Sequence, residues 1–523
     1  MTPVSRVVAV AAFIGIASAS AASANPLGRN GLTFQQERMA RRLAAGVTPN
    51  RPPAHSTPLD ARYAHGSKGA GTWQSLAATS PFTPSDGAGT ELLMTDGTIM
   101  VQNNQNLWYR LTPDLKGSYA NGTWTEAASM GTSYGPLYFA SAVLPDGRML
   151  VEGGEYNFFK DAETNLGAIF DPVANTWTSV SPPSGWHSIG DASSVVLPSG
   201  TLMLGNCCYA YQALYGEASS TWTQTGTGKH DQNSEEGWTL LPNGQVLTED
   251  VVDAPYSELY NPSTGAWTSA GNLPANLTQS TEIGPSVLRP DGTVFVSGAN
   301  GLTAIYDTKT GSWSSGPTYP TVASGQLDMA DGPASVLPDG NVLVATSPGV
   351  YSTPAYFFEF NGKKFISAPA TAGASGDSSY NIRLLLLPTG QVLETDSSTD
   401  VEIYTPKGKA IKSIRPTIKS VPTTLTHGTT YTLSGRKLNG ATQDNFYGDD
   451  DQQATNFPLV QITNDSTGDV FYARTHNFSA MPVASNAIVS TQFDVPSGIE
   501  LGQSSLVVVT NGISSAPVAV MVQ

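Results

Sequence analysis

Four carboxylates and two phenols share one address in this chain. Tyr138, Asp191, Glu235 and Asp331 each stand nine residues before the glycine of a Leu-Pro-Asp-Gly-type turn, and Glu282 and Tyr380 stand one position earlier. The other residues at the ninth position are Ala88, Ile283 and Asn381. Gathered on one ring, carboxylates and aromatic faces would meet a cation, an amine or the hydroxyls of a sugar, combining hydrogen bonds with apolar stacking. Polar residues that simply end strands at solvent would give a similar pattern. Both readings stand at this point.

The address exists because the chain repeats. Its turn glycines are Gly97, Gly147, Gly200, Gly244, Gly292, Gly340 and Gly390, separated by 50, 53, 44, 48, 48 and 50 residues. A period near 50 marks a kelch-type β-propeller, each repeat being one four-stranded blade. The strand entering each turn is apolar and should be innermost, so its start lies at the mouth of the central channel. A second landmark is an aromatic strand followed by a polar turn and a tryptophan. The first aromatics are Tyr109, Phe170, Tyr215, Tyr260, Tyr306, Phe358 and Tyr404; the second are Trp73, Trp124, Trp177, Trp222, Trp267, Trp313 and Phe365. Trp73 has no strand before it and Tyr404 no tryptophan after it. The two should therefore belong to one blade, closing the ring and removing a free sheet edge.

Around the propeller, expected over residues 71–412, the chain divides further. Residues 1–24 read as a secretory signal, with Arg6, an apolar stretch and the small residues Ala22-Ser23-Ala24, which predicts a secreted or periplasmic protein. Residues 25–70 form a basic arm, with Phe34–Ala45 a short helix and Pro49–Pro58 an extended linker; a spacer is the simpler reading, docking on the acidic propeller the other. Residues 413–523 carry alternating short strands with Gly/Pro turns, an immunoglobulin-like (early-set) β-sandwich. The fold class is thus all-β. Without the signal, 25 basic residues face 42 acidic ones, which disfavours nucleic acid and anionic membranes as partners. No later apolar run is long enough for a membrane span, and a monomer is expected.

Two further clusters deserve chemistry. Cys207 and Cys208 are the only cysteines; adjacent in sequence, they could close a strained vicinal disulfide or remain partly buried thiols. Asp449-Asp450-Asp451 and Asn464–Asp469 could offer oxygens to calcium but match no calcium loop, and read as solvated turns. His187 reads as a surface-loop histidine.

Seven kelch repeats followed by an immunoglobulin-like domain resemble the galactose oxidase and glyoxal oxidase family of copper radical enzymes. Tyr138-Phe-Ala-Ser-Ala-Val-Leu-Pro-Asp-Gly147 resembles the segment carrying that family's cross-linked tyrosine. Ser379-Tyr380-Asn381-Ile-Arg-Leu resembles the one carrying its axial tyrosine, followed there by a histidine. Tyr472-Ala-Arg-Thr-His476 resembles the loop that inserts a second histidine into the channel. The resemblance therefore implies copper on Tyr138, Tyr380 and His476. It also requires a cysteine where this chain has Ala88 and a histidine where it has Asn381, and Tyr156 stands where the family has a tryptophan. Two phenols and one imidazole make a weak copper(II) site. The expectation is a non-catalytic protein that binds a glycan or polyol at the axial mouth through Tyr138, Asp191, Glu235, Glu282, Asp331, Tyr380, Asn381 and His476. The alternatives are a copper-dependent oxidase of alcohol or aldehyde groups with a non-standard ligand set, and a structural or adhesion module of the cell envelope.

Overall fold

The computed structural model describes residues 48–52, 56–447 and 453–523. The signal, the Phe34–Ala45 helix and Asp449–Asp451 lie outside the described residues. The chain is nearly all β, in antiparallel sheets.

Six of the sheets contain four strands in simple antiparallel order, and one more repeats that order with a fifth strand added. Each of the seven turn glycines has a positive φ, between 75° and 88°, where an L side chain is strained and glycine is not. Each donates its N–H to the carbonyl three residues back, as Gly97 does to Met94 and Gly340 to Leu337. The strands leading into these turns are buried along their length, for example Ala140–Val143 and Pro333–Val336, and those of successive sheets touch one another from the second sheet to the seventh. The seventh touches the first, and Trp108 of the first reaches Trp177 of the second with ring centroids 5.6 Å apart. This circular order is what a propeller requires. Thr72–Ser75 is the outer strand of the seventh sheet, with Trp73 opposite Tyr404.

The aromatic landmark holds its register in most sheets. Phe170 faces Trp177, Tyr215 faces Trp222, Tyr260 faces Trp267 and Tyr306 faces Trp313. Two pairings differ from expectation. Trp124 faces Leu111 rather than Tyr109, because the long 113–122 loop sets its register, and Phe365 faces Phe360 rather than Phe358, because it stands one place nearer a four-residue turn like those of the matching sheets.

The last part of the chain forms a nine-stranded sheet around an apolar core that includes Leu433, Val460, Phe493 and Val508. It rests on the turn end of the inner strands. The Tyr472 ring lies so close to Gly97 that any Cβ there would collide with it, and Thr475 donates its N–H to the Thr95 carbonyl at 3.1 Å. One segment leaves this body. Asn445–Tyr447 adds as a fifth strand to the sixth sheet, placing Tyr447 opposite Pro333 at the mouth end.

The arm is not a spacer where it is described. Thr57 N–H donates to Ser375 O at 2.9 Å, Asp60 N–H to the Tyr356 hydroxyl at 2.9 Å, and Ala61–Ala64 forms a helical turn capped by Asp60. Leu59 and Tyr63 add apolar contact, Tyr63 meeting Phe358 edge-on with centroids 5.7 Å apart.

Candidate functional site

The mouth-end starts of the inner strands share an unusual backbone. Tyr138, Glu235 and Asp331 have φ of 54°, 60° and 47°, and Gly87 and Gly190 are also positive. Holding a non-glycine residue there costs about 1–2 kcal/mol, so the surroundings must impose it. For Glu235 the cause is visible. Lys229 is buried among Glu258 at 2.5 Å, Glu236 at 3.1 Å and Asp250 at 3.5 Å. Burial alone would lower the Lys229 pKa, but the three carboxylates outweigh it and raise it. This network, with Thr248 donating to Glu236 at 3.1 Å, pins residues 229–236 and so fixes the residue beside it.

Three of the predicted carboxylates converge. Oxygens of Glu235, Glu282 and Asp331 lie within 4.8 Å of one another, and all three residues are buried. The Tyr351 hydroxyl donates to Glu282 Oε1 at 2.5 Å. Tyr351 packs edge-on to Tyr380, with centroids 5.3 Å apart. Tyr138 stacks on Tyr447 at 5.9 Å and meets Tyr156 edge-on at 6.2 Å. Arg383 sits 3.4 Å above the Tyr447 ring and 5.3 Å above Tyr138, and donates from Nη1 to the Tyr380 carbonyl at 3.0 Å. The Tyr447 hydroxyl donates to the same carbonyl at 2.6 Å. The outcome is one tyrosine cluster of Tyr138, Tyr156, Tyr351, Tyr380 and Tyr447, edged by the acidic trio and one guanidinium.

Two predicted members are elsewhere. His476 pairs through Nε2 with Asp494 Oδ1 at 3.1 Å, beside Arg474, whose Nη1 reaches the carbonyl of Asp146 in a turn. That is the opposite end of the inner strands. The element the C-terminal region sends to the mouth is the one carrying Tyr447, not the one carrying His476. Asn381 turns away from the mouth. Its Nδ2 donates to Asp396 O at 2.7 Å and Asp377 Oδ1 at 3.2 Å, and its Oδ1 accepts from Ser378 N–H at 2.8 Å. It is a structural brace for the short helix Ser379–Asn381. Asp191 is buried in the third sheet's loop beside the cysteines, whose Cys207 N–H donates to Ile189 O. Cys207 and Cys208 are bonded to each other, and His187 is exposed. The Asn464–Asp469 turn binds Lys116, with Nζ 2.5 Å from Asp469 Oδ1.

Tyr351, Tyr447 and Arg383 were outside the nine-residue address. A signal existed for Tyr351: the 347–355 connection in its sheet is longer than the 298–302 connection in the preceding one. Tyr156 lies on another long connection, 153–166.

These residues do not fit copper. The phenols of Tyr138 and Tyr380 donate to main-chain carbonyls of the chain itself, at Pro49 and Thr48. His476 is committed to Asp494 at the other end of the strands. The sulfurs are joined in a disulfide, and a fixed guanidinium lies against the tyrosine rings, where it repels a second cation.

No protein-family profile and no curated protein matches the chain. Among solved structures, a fungal alcohol oxidase of the AA5 family in complex with copper is 16% identical, covers 83% of this chain and 85% of its own, and has a TM-score of 0.39. A catalytically inactive virginiamycin B lyase from Staphylococcus aureus with quinupristin gives 9%, 64%, 99% and 0.47 for the same measures. The extracellular domain of a one-component system from B. thetaiotaomicron gives 10%, 86%, 58% and 0.44. At these identities and scores no activity transfers to this chain. The described residues contain no helix long and apolar enough to cross a membrane.

Proposed function

We propose that this protein is a secreted or periplasmic seven-bladed kelch propeller with an immunoglobulin-like C-terminal domain. It binds a glycan or polyol at the axial mouth as a monomer and carries out no copper redox chemistry. The observation that supports this reading is the convergence of Glu235, Glu282 and Asp331, within 4.8 Å, beside a cluster of five tyrosines. Buried carboxylates accept hydrogen bonds from hydroxyl groups, and phenol rings stack on the apolar faces of sugar rings. Positioning at such a site is rigid, since the Lys229 network and the Arg383 brace fix the strand starts.

The test is a glycan array probed with the full chain and with Asp331→Ala. Binding that disappears in the variant is expected; binding that persists unchanged removes the axial mouth from the reading. Copper-loaded protein, offered glycerol or galactose, should release no peroxide above a metal blank. Turnover abolished by Tyr138→Phe would instead favour the oxidase alternative.

A further inference from the structure

The phenols at the mouth are engaged by a piece of the same chain. Tyr138 donates to the Pro49 carbonyl at 2.6 Å and Tyr380 to the Thr48 carbonyl at 3.4 Å. The segment offering these oxygens is a closed turn: Thr48 N–H donates to Arg51 O at 3.2 Å and Arg51 N–H to Thr48 O at 3.3 Å. Proline at its second position suits that turn by fixing φ. Asn50 is buried and donates from Nδ2 to Asp86 O at 3.2 Å, and Arg51 Nη2 donates to Ser397 O at 2.9 Å. The turn thus spans from the first and seventh sheets to the second. Under it, Tyr138 and Tyr380 are only 3% and 1% exposed, on a ring whose address implied an open mouth.

We propose that Thr48–Arg51 is a resident strap that occupies the ligand position of the mouth and must be displaced for a hydroxyl-rich ligand to enter. This rests on the reading of the mouth as a glycan or polyol site. The strap's carbonyl oxygens accept from the same phenols that would donate to a ligand's hydroxyl oxygens. Its described contacts are a handful of hydrogen bonds with no large apolar side chain among them, so its hold is modest and reversible.

The test uses the full chain and an Asn50→Ala/Arg51→Ala double variant, which leaves every mouth residue in place. Both are treated with tetranitromethane, and nitration is read per tyrosine by peptide mass spectrometry. Tyr138 and Tyr380 should react about tenfold faster in the variant, the size expected for losing one or two hydrogen bonds. Tyr119, buried against the Gly97 turn by its bond to Gly97 O, should stay unreactive in both and report that the fold is intact. Equal nitration of the mouth tyrosines in both proteins overturns the strap. Hydrogen exchange of the wild type checks it without any variant: Thr48 and Arg51 amides should be protected, and exchange at unfolded rates overturns the proposal. The same pair of proteins on the glycan array separates the two readings. Faster nitration with a blank array keeps the strap and removes the glycan reading; array binding by both with equal nitration does the reverse.

Discussion

Lys229 shows how much one side chain holds at this site. It is surrounded by Glu236, Asp250 and Glu258 at 2.5–3.5 Å with almost no solvent contact. Removing one partner of a buried ion network leaves the others uncompensated, at a cost of about 3–5 kcal/mol. Lys229→Met should therefore lower unfolding stability by that amount in urea titration, whereas a loss below about 1 kcal/mol would mean that the carboxylates simply take up protons. The variant should also loosen Glu235, the residue whose left-handed backbone this network supports, and weaken array binding along with stability. None of this is evident from Lys229 in sequence, where it is one basic residue in a polar loop. The nine-residue address found the carboxylates because they sit on strand starts. It missed Tyr447 and Arg383 because neither holds that position, one arriving on a segment from the C-terminal body.

At the level of elements, the repeat was legible and the exceptions have local causes. The turn glycines recur because every inner strand must reverse through a positive φ, so the spacing carries the length of each four-stranded unit directly. The tyrosine-to-tryptophan spacing works where the outer hairpin has a constant length. It fails at Trp124, where that hairpin is longer, and at Phe365, where the turn keeps its length but the aromatics stand at shifted positions beside it. The arm was illegible for a different reason. Its contacts come from a few scattered residues, Asn50, Arg51, Leu59 and Tyr63, whose partners lie far away in sequence, so composition cannot distinguish a docked arm from a free spacer. The strand Thr72–Ser75 makes its own prediction. Trp73 contacts Tyr404 and Phe357 at centroid distances of 4.9 and 5.1 Å and donates from Nε1 to Pro369 O. Trp73→Ala should cost about 2–3 kcal/mol, below a fully buried aromatic because its ring is partly exposed, and should raise hydrogen exchange across Val401–Thr405 first. Exchange that rises uniformly over the chain would mean this strand is no separate clasp.

Across the whole molecule, the buried carboxyl groups set the response to pH. Burial pushes Asp328, Asp444 and Glu249 up to about 8, despite hydrogen bonds that oppose the shift. Asp250 is raised to about 7, with burial again the leading cause. An acid whose folded pKa lies above its unfolded value binds its proton more tightly in the folded chain. Between roughly pH 4 and 8 the folded state then carries more protons, so stability falls as pH rises through that window. The melting temperature should be higher at about pH 5 than at about pH 8.5; calorimetry showing the opposite order would place these carboxyls in a more polar setting. Asp444 gives the window a local meaning, since it accepts from Val336 N–H and Thr455 at the root of the segment that carries Tyr447. The pairing of Trp73 with Tyr404 also has a consequence in time. The strand Thr72–Ser75 waits for a partner made more than three hundred residues later, and until then an unpaired edge stays open to other chains. A product that stops short of residue 401 lacks that partner strand, so an interrupted copy is marked by its own open seam.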